Sequence, residues 1–242
     1  MDDILAQVED GVRHLLGTTP VPEARALLIV ATLAVLATLW GPVWRAGRVF
    51  LTIAHEGGHA AAAVLTRRSV ARVRINPDTS GLTQTYGRPH GPGAALVSFA
   101  GYPFPAMLGA GLVAAAVSGY GRLWTAVAGL ALVVLLWWTR NLYGWLAVSA
   151  CVVGTALLAW YAPGQILVLA LVGIGMFLLA GSLRDLLAER RARRAGHRSS
   201  DVSSLGARSR LPAGAWWLAM TGVVALSGWL TWEQLSGLYR LS

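Results

Sequence analysis

Seven long, mainly apolar segments dominate this sequence, and they limit the chain to folds that can sit in a lipid bilayer. Only 13% of the 242 residues are charged, against about 25% in an average soluble domain. The segments occupy residues 24–44, 49–66, 91–118, 123–139, 142–160, 164–183 and 214–235. Such a chain is predicted to be an all-α polytopic membrane protein with about six or seven transmembrane helices.

Two interruptions of the apolar pattern are expected to shape the fold. Residues 67–90 carry β-branched residues on both sides of the turn sequence NPDTSG, which predicts a small β-hairpin after the second apolar segment. In the third segment, Gly101, Pro103 and Pro105 are expected to break or kink the helix. No polar stretch is long enough for a second domain, so residues 1–242 are predicted to form a single membrane-embedded domain.

The basic residues are distributed unevenly between the ends of the apolar segments. There are 20 Arg and no Lys, and the formal net charge is +9. Because these Arg residues flank apolar segments, we expect them to set the orientation in the lipid bilayer and not to bind nucleic acid. If all seven segments span, 16 Arg share a side with residues 1–23 and the polar link 184–213, and 4 lie opposite. Both polar segments are therefore predicted to be cytoplasmic.

The second apolar segment contains the sequence HEGGH, which is a candidate metal site. His55 and His59 are four residues apart, so on a helix they lie on one face and can bind one Zn²⁺. Glu56 can take a proton from an attacking water and return it to a leaving amine, as in metalloproteases. The alternative is that these are packed, hydrogen-bonded polar groups. An ionisable residue in a membrane helix is nevertheless a functional candidate by default.

A catalytic zinc usually has three protein ligands, so two histidines do not complete the site. The candidates for the third ligand are Asp78, His90, Asp185, His197 and Asp201. Each has an ordinary structural explanation as well. Asp78 lies in a turn, Asp185 can pair with a neighbouring Arg on a helix, and Asp201 can be a helix N-cap. Spacing alone does not decide among them.

Several motifs follow one another in an order that is found in a known family. They are HEGGH in an apolar helix, a basic hairpin containing SGLT, then FAGYPFPAMLG, TRNLYG and SSDVSSLGARSRLPAGAWW. Over roughly residues 45–235 the chain resembles the B-type branch of the site-2 protease family, bacterial zinc metallopeptidases that cut within membranes. The resemblance implies zinc ligands at His55, His59 and Asp201 and a catalytic base at Glu56.

The resemblance also implies how a substrate is held. Asn141, in TRNLYG, would lie near the active centre and steady a substrate backbone, or else it only caps a helix. The hairpin residues Ser80, Gly81 and Thr83 would guide an extended substrate by strand addition, or else they only close the hairpin.

Two functions of different classes are consistent with these features. The first is a zinc-dependent intramembrane endopeptidase that acts on membrane or membrane-adjacent proteins, located as a multi-pass protein in the bacterial inner membrane. The second is a non-catalytic membrane scaffold, or a transporter-like protein, with a structural metal site. No feature of the sequence indicates an oligomeric state.

Overall fold

The computed structural model describes residues 2–241, with side chains for residues 3–238, as ten α-helices and one β-hairpin. The elements are α1 (Asp2–Leu16), α2 (Ala24–Leu39), α3 (Gly41–Leu65), β1 (Ser69–Ile75), β2 (Gly81–Tyr86), α4 (Pro92–Ala100), α5 (Phe104–Val117), α6 (Gly121–Trp138), α7 (Leu142–Tyr161), α8 (Gly164–Arg194), α9 (Asp201–Arg208) and α10 (Ala213–Leu241). Helices α6, α7, α8 and α10 are each long and apolar enough to cross a membrane. The pairs α2–α3 and α4–α5 meet this criterion only as bent pairs, so the described chain has four to six candidate spans. The predicted all-α polytopic membrane fold with a small hairpin is confirmed.

The first two apolar segments were predicted as separate spans, but they form one sharply bent pair. The bend between α2 and α3 is 101°, and Trp40 alone separates the two helices. Pro42 occupies the first turn of α3, where a missing N–H breaks no helical hydrogen bond. Near its start, α3 places Trp44 under the guanidinium of Arg184, and Thr66, just after its end, lies beside Gly93. Helix α3 therefore runs across one end of the bundle, and this end also holds the hairpin.

The third apolar segment is broken where its glycine and prolines predicted. Helices α4 and α5 meet at 65°, with Gly101, Tyr102 and Pro103 between them. Pro105 lies in the first turn of α5, again a position that tolerates proline. The break places irregular backbone directly beside α3.

The hairpin is closed by the predicted turn. Asp78 Oδ1 accepts hydrogen bonds from the backbone N–H of Ser80 (2.9 Å) and from its hydroxyl (2.7 Å). The two strands pair from Ser69 with Tyr86 to Ile75 with Gly81. The outer edge of β1 pairs in addition with the segment between α6 and α7, where Val73 forms a parallel bridge with Thr139. The hairpin is thus fixed to the helix bundle along one edge.

Residues 2–23 lie at the end of the bundle opposite the hairpin. Thr19 N donates to the carbonyl oxygen of Gly119 at 2.7 Å, just before α6 begins. Helix α6 then runs 18 residues, about 27 Å, to reach the hairpin at Thr139. The polar link between α8 and α10 lies at the hairpin end, because Asp201 contacts α3. The prediction that residues 1–23 share a side with residues 184–213 is therefore wrong. It assumed that both apolar segments span the bundle, whereas α2 leads from one end to the other and α3 stays at the hairpin end.

The Arg residues are concentrated at one end of this corrected arrangement. Of the 20 Arg, 16 belong to elements at the hairpin end. The other four are Arg13, Arg25, Arg122 and Arg240. The hairpin end is therefore the strongly basic end of the bundle, and the N-terminal segment lies at the other end.

Candidate metal centre and active site

Three metal-ligating side chains from two distant parts of the chain meet at the hairpin end. His55 and His59 lie on one face of α3, and Asp201 is the first residue of α9. The Nε2 atoms of His55 and His59 are 3.1 Å apart, and each lies 3.2 Å from Asp201 Oδ2. Within the described part of the chain, these residues form the one group of three that could hold a metal ion.

The three donor atoms fit a tetrahedral zinc site. Ligands about 2.0 Å from a tetrahedral centre lie about 3.3 Å from one another, close to the 3.1–3.2 Å of this triangle. Two imidazoles and a carboxylate are ordinary zinc ligands, and a set of three leaves a fourth position for water or substrate. The residues present therefore fit Zn²⁺.

The protein fixes the orientation of one imidazole through a second contact. His59 Nδ1 lies 2.6 Å from the carbonyl oxygen of Val97 on α4. A carbonyl oxygen can only accept a hydrogen bond, so Nδ1 carries the proton and Nε2 keeps its lone pair for a metal. The sequence did not single out Val97, because a backbone carbonyl has no sequence signature.

Gly101 leaves the space in which a metal would lie. A Cβ at this position would come within 2.5 Å of His59 Nε2 and 2.6 Å of His55 Nε2. The next residue, Tyr102, packs edge-on against the His55 ring with centroids 4.9 Å apart. The break between α4 and α5, which the sequence predicted as a break or kink, therefore forms one wall of the site.

Glu56 lies between the metal-ligand face of α3 and the hairpin. Its side chain is buried, with 4% of the residue exposed, and its Oε2 accepts a hydrogen bond from the Thr83 hydroxyl at 2.6 Å. Gly81 lies so close that a Cβ there would collide with Glu56 Oε1. Strand β2 therefore rests directly on the candidate catalytic base, and a glycine allows this approach.

A polar cavity of about 1060 Å³ connects these groups. Its walls come from α3, β2, the α4–α5 break, the end of α8 and α9. His55, Glu56, His59 and Asp201 line it, and so do residues 80–85 of the hairpin. Water can therefore reach the site from the polar end of the bundle.

The other candidates for the third ligand have different contacts. Asp78 closes the hairpin turn, as its alternative explanation predicted. Asp185 Oδ1 lies 3.3 Å from Arg48 Nε, so it does pair with an Arg, although the partner is on α3 and not on its own helix. His90 and His197 are exposed and lie outside the metal-ligand group. Asp201 is not the N-cap of α9, because Ser200 takes that position.

Asn141 lies outside the cavity and contacts the hairpin. Its Nδ2 donates to the Ile75 carbonyl at 2.6 Å, and its Oδ1 accepts from the Ile75 N–H at 3.1 Å. The side chain makes no hydrogen bond as a cap of α7. Its amide therefore holds the protein's own strand β1, and the structure does not bring Asn141 together with the other predicted site residues.

Comparison with known proteins gives one clear relationship. A model of the peptidase M50B-like family matches residues 28–231, which is most of the chain and includes every site residue described above. No curated protein and no solved structure matches at a significant level. The chain is a multi-pass membrane protein that belongs to the peptidase M50B-like family.

Proposed function

We propose that the protein is a zinc-dependent intramembrane endopeptidase that hydrolyses peptide bonds of membrane or membrane-adjacent proteins. The observation that carries the proposal is the donor triangle of His55, His59 and Asp201 beside the buried carboxylate of Glu56 in a polar cavity. A structural zinc site is usually closed by four protein ligands, whereas three ligands and an adjacent carboxylate are typical of hydrolytic sites. We place the protein in a bacterial inner membrane, with the cavity toward the cytoplasm.

Different residues of this chain have different roles in the proposed reaction. A zinc ion, when bound, supplies a Lewis acid that polarises the scissile carbonyl and makes water acidic enough to lose a proton at neutral pH. Glu56 accepts that proton as general base and then gives it to the departing amine as general acid. Thr83 holds the Glu56 carboxylate by donating to Oε2, and Val97 fixes the tautomer of His59.

Strand β2 offers a template for the substrate backbone. Strand β1 uses the edge that faces away from β2 to pair with residues 139–141, through the backbones of Val73 and Ile75. Their partners across the hairpin are Thr83 and Gly81. When one residue of a directly opposite antiparallel pair turns its backbone N–H and C=O away from the partner strand, the opposite residue does the same. Thr83 and Gly81 therefore direct their N–H and C=O groups toward the unpaired edge of β2. A substrate segment added there would be extended, with its peptide bonds exposed to attack beside Glu56.

Cross-linking tests strand addition. The experiment uses Leu82→Cys in a background of Glu56→Gln and Cys151→Ser, which removes the only native cysteine. Single cysteines are placed at consecutive positions around the cleavage site of a model transmembrane substrate. Side chains of an added strand alternate between faces, so disulfides are expected at every second position. Cross-links at every third or fourth position would indicate a helical substrate and contradict the proposal. Leu130→Cys, exposed on α6, is the control that should give none.

Cleavage by the purified protein tests the proposed function itself. We expect the full-length protein in detergent to cut transmembrane model substrates, to lose this activity after treatment with a chelator, and to regain it when Zn²⁺ is returned. The scaffold or transporter-like alternative predicts metal binding without cleavage products. Cleavage that persists in the metal-free protein would contradict a metallopeptidase mechanism.

A further inference from the structure

The position of Asp201 depends on where the short helix α9 begins. Helix α9 has eight residues, too few to be stable alone, and Asp201 is its first residue. Val202 and Leu205 are buried against Leu186, Trp217 and Met220. These contacts pack α9 against α8 and α10. Apolar contacts of this kind do not by themselves fix where the first turn starts.

Ser200 fixes that start through two different contacts. Its Oγ accepts a hydrogen bond from the Ser203 N–H at 3.2 Å, which makes it the N-cap of α9. The same hydroxyl lies 2.9 Å from Glu189 Oε1 and 3.0 Å from Ser203 Oγ. A hydroxyl has one proton, and a charged acceptor forms the stronger hydrogen bond, so Ser200 donates to Glu189.

Glu189 lies on the last part of α8 and is buried, with 2% of its side chain exposed. Its Oε1 lies 3.3 Å from Arg193 Nε one turn later, and its Oε2 is buried with no hydrogen-bond partner among the described residues. A buried carboxylate is unfavourable unless its contacts compensate. Arg193 is its ion-pair partner on α8, and the hydroxyl of Ser200 is the contact that joins it to α9.

We propose that Glu189 and Ser200 are positioning residues that hold the first turn of α9 against α8 and so deliver Asp201 to His55 and His59. This inference rests on the proposed function, because it assumes that the three side chains bind Zn²⁺. Outer contacts that orient a metal ligand typically change metal affinity by about 10- to 100-fold. Neither residue belongs to the group of three metal-ligating side chains, although both line the same cavity.

Zinc affinity of the full-length protein, measured by competition with a chelating dye, tests the inference without using activity. We expect Ser200→Ala to raise the dissociation constant by about 10- to 100-fold and Ser200→Thr, which keeps the hydroxyl, to restore it to near the wild-type value. Glu233→Gln, a change on the exposed surface of α10, is the control that should leave affinity unchanged.

Ser200→Asp separates this role from simple capping. Asp is as good an N-cap as Ser, but here it sets a second carboxylate against Glu189. We expect it to bind zinc at least as weakly as Ser200→Ala, and the double variant Ser200→Asp/Glu189→Gln to recover affinity, because the Gln amide can donate to the new carboxylate. Wild-type affinity in Ser200→Asp alone, or no recovery in the double variant, would overturn the inference. If the wild-type protein binds no zinc, the proposed function fails instead.

Discussion

Glu56→Gln is expected to lower kcat/KM for a membrane substrate by about 1000-fold or more, which is about 4 kcal/mol of transition-state stabilisation. Gln has nearly the same shape, and its amide oxygen can accept the hydrogen bond that Thr83 donates to Glu56. It cannot take a proton from water at neutral pH. The variant should therefore keep its fold and its metal while it loses the proton transfer.

The measurement pairs cleavage of a model transmembrane substrate with the zinc content of the same preparation. Glu233→Gln makes the same chemical change on an exposed part of α10 and should be as active as the wild type. Wild-type activity in Glu56→Gln would exclude Glu56 as the general base. Loss of zinc together with activity would show that Glu56 supports the metal site and not the proton transfer.

Asp201→Ala is expected to weaken zinc binding by more than about 100-fold, the upper end of the effect of outer contacts, because it removes a ligand directly. The helix that carries it should remain, since Ser200 caps α9 and Val202 and Leu205 are buried. The loss should therefore be confined to the metal and to every activity that needs it.

Asp185→Ala is the matched comparison for Asp201→Ala. Asp185 also lines the cavity, but its carboxylate pairs with Arg48 and lies outside the donor triangle. Equilibrium dialysis against buffered zinc should give near wild-type affinity for Asp185→Ala and weak binding for Asp201→Ala. The reverse order of affinities would transfer the third-ligand role to Asp185.

The parts of the site that depend on local sequence could be predicted from it. The spacing of His55 and His59 places both imidazoles on one face of any α-helix, whatever surrounds it. The turn around Asp78 and the break at Gly101 likewise follow from the conformations that Asp, Pro and Gly favour. Each of these features forms from contacts between residues close in the chain.

The contacts that complete the site join distant parts of the chain, so no local pattern reveals them. Asp201 reaches His55 across 146 residues because α8 carries the chain to the hairpin end and α9 packs there. The amide of Asn141 was predicted to face a substrate backbone, yet in the structure it contacts Ile75, 66 residues earlier. Such pairings depend on how the helices pack.

The orientation of the N-terminal segment shows why charge alone was insufficient. Counting Arg residues gives 16 against 4 both for seven straight spans and for the observed arrangement. The two counts differ only in which side holds Arg13 and Arg25 and which holds Arg45 and Arg48. The contacts that place α3 at the hairpin end and residues 2–23 at the opposite end decide between them. A sequence of two apolar segments does not specify whether the second segment returns through the bilayer.

Metal content of the purified, full-length protein tests the central claim most directly. The protein should contain about one zinc per chain after purification without added metal, since three protein ligands converge on one position. The double variant His55→Ala/His59→Ala, purified in parallel, should contain none. A wild-type protein with no more zinc than this variant, even after incubation with Zn²⁺, would contradict the account.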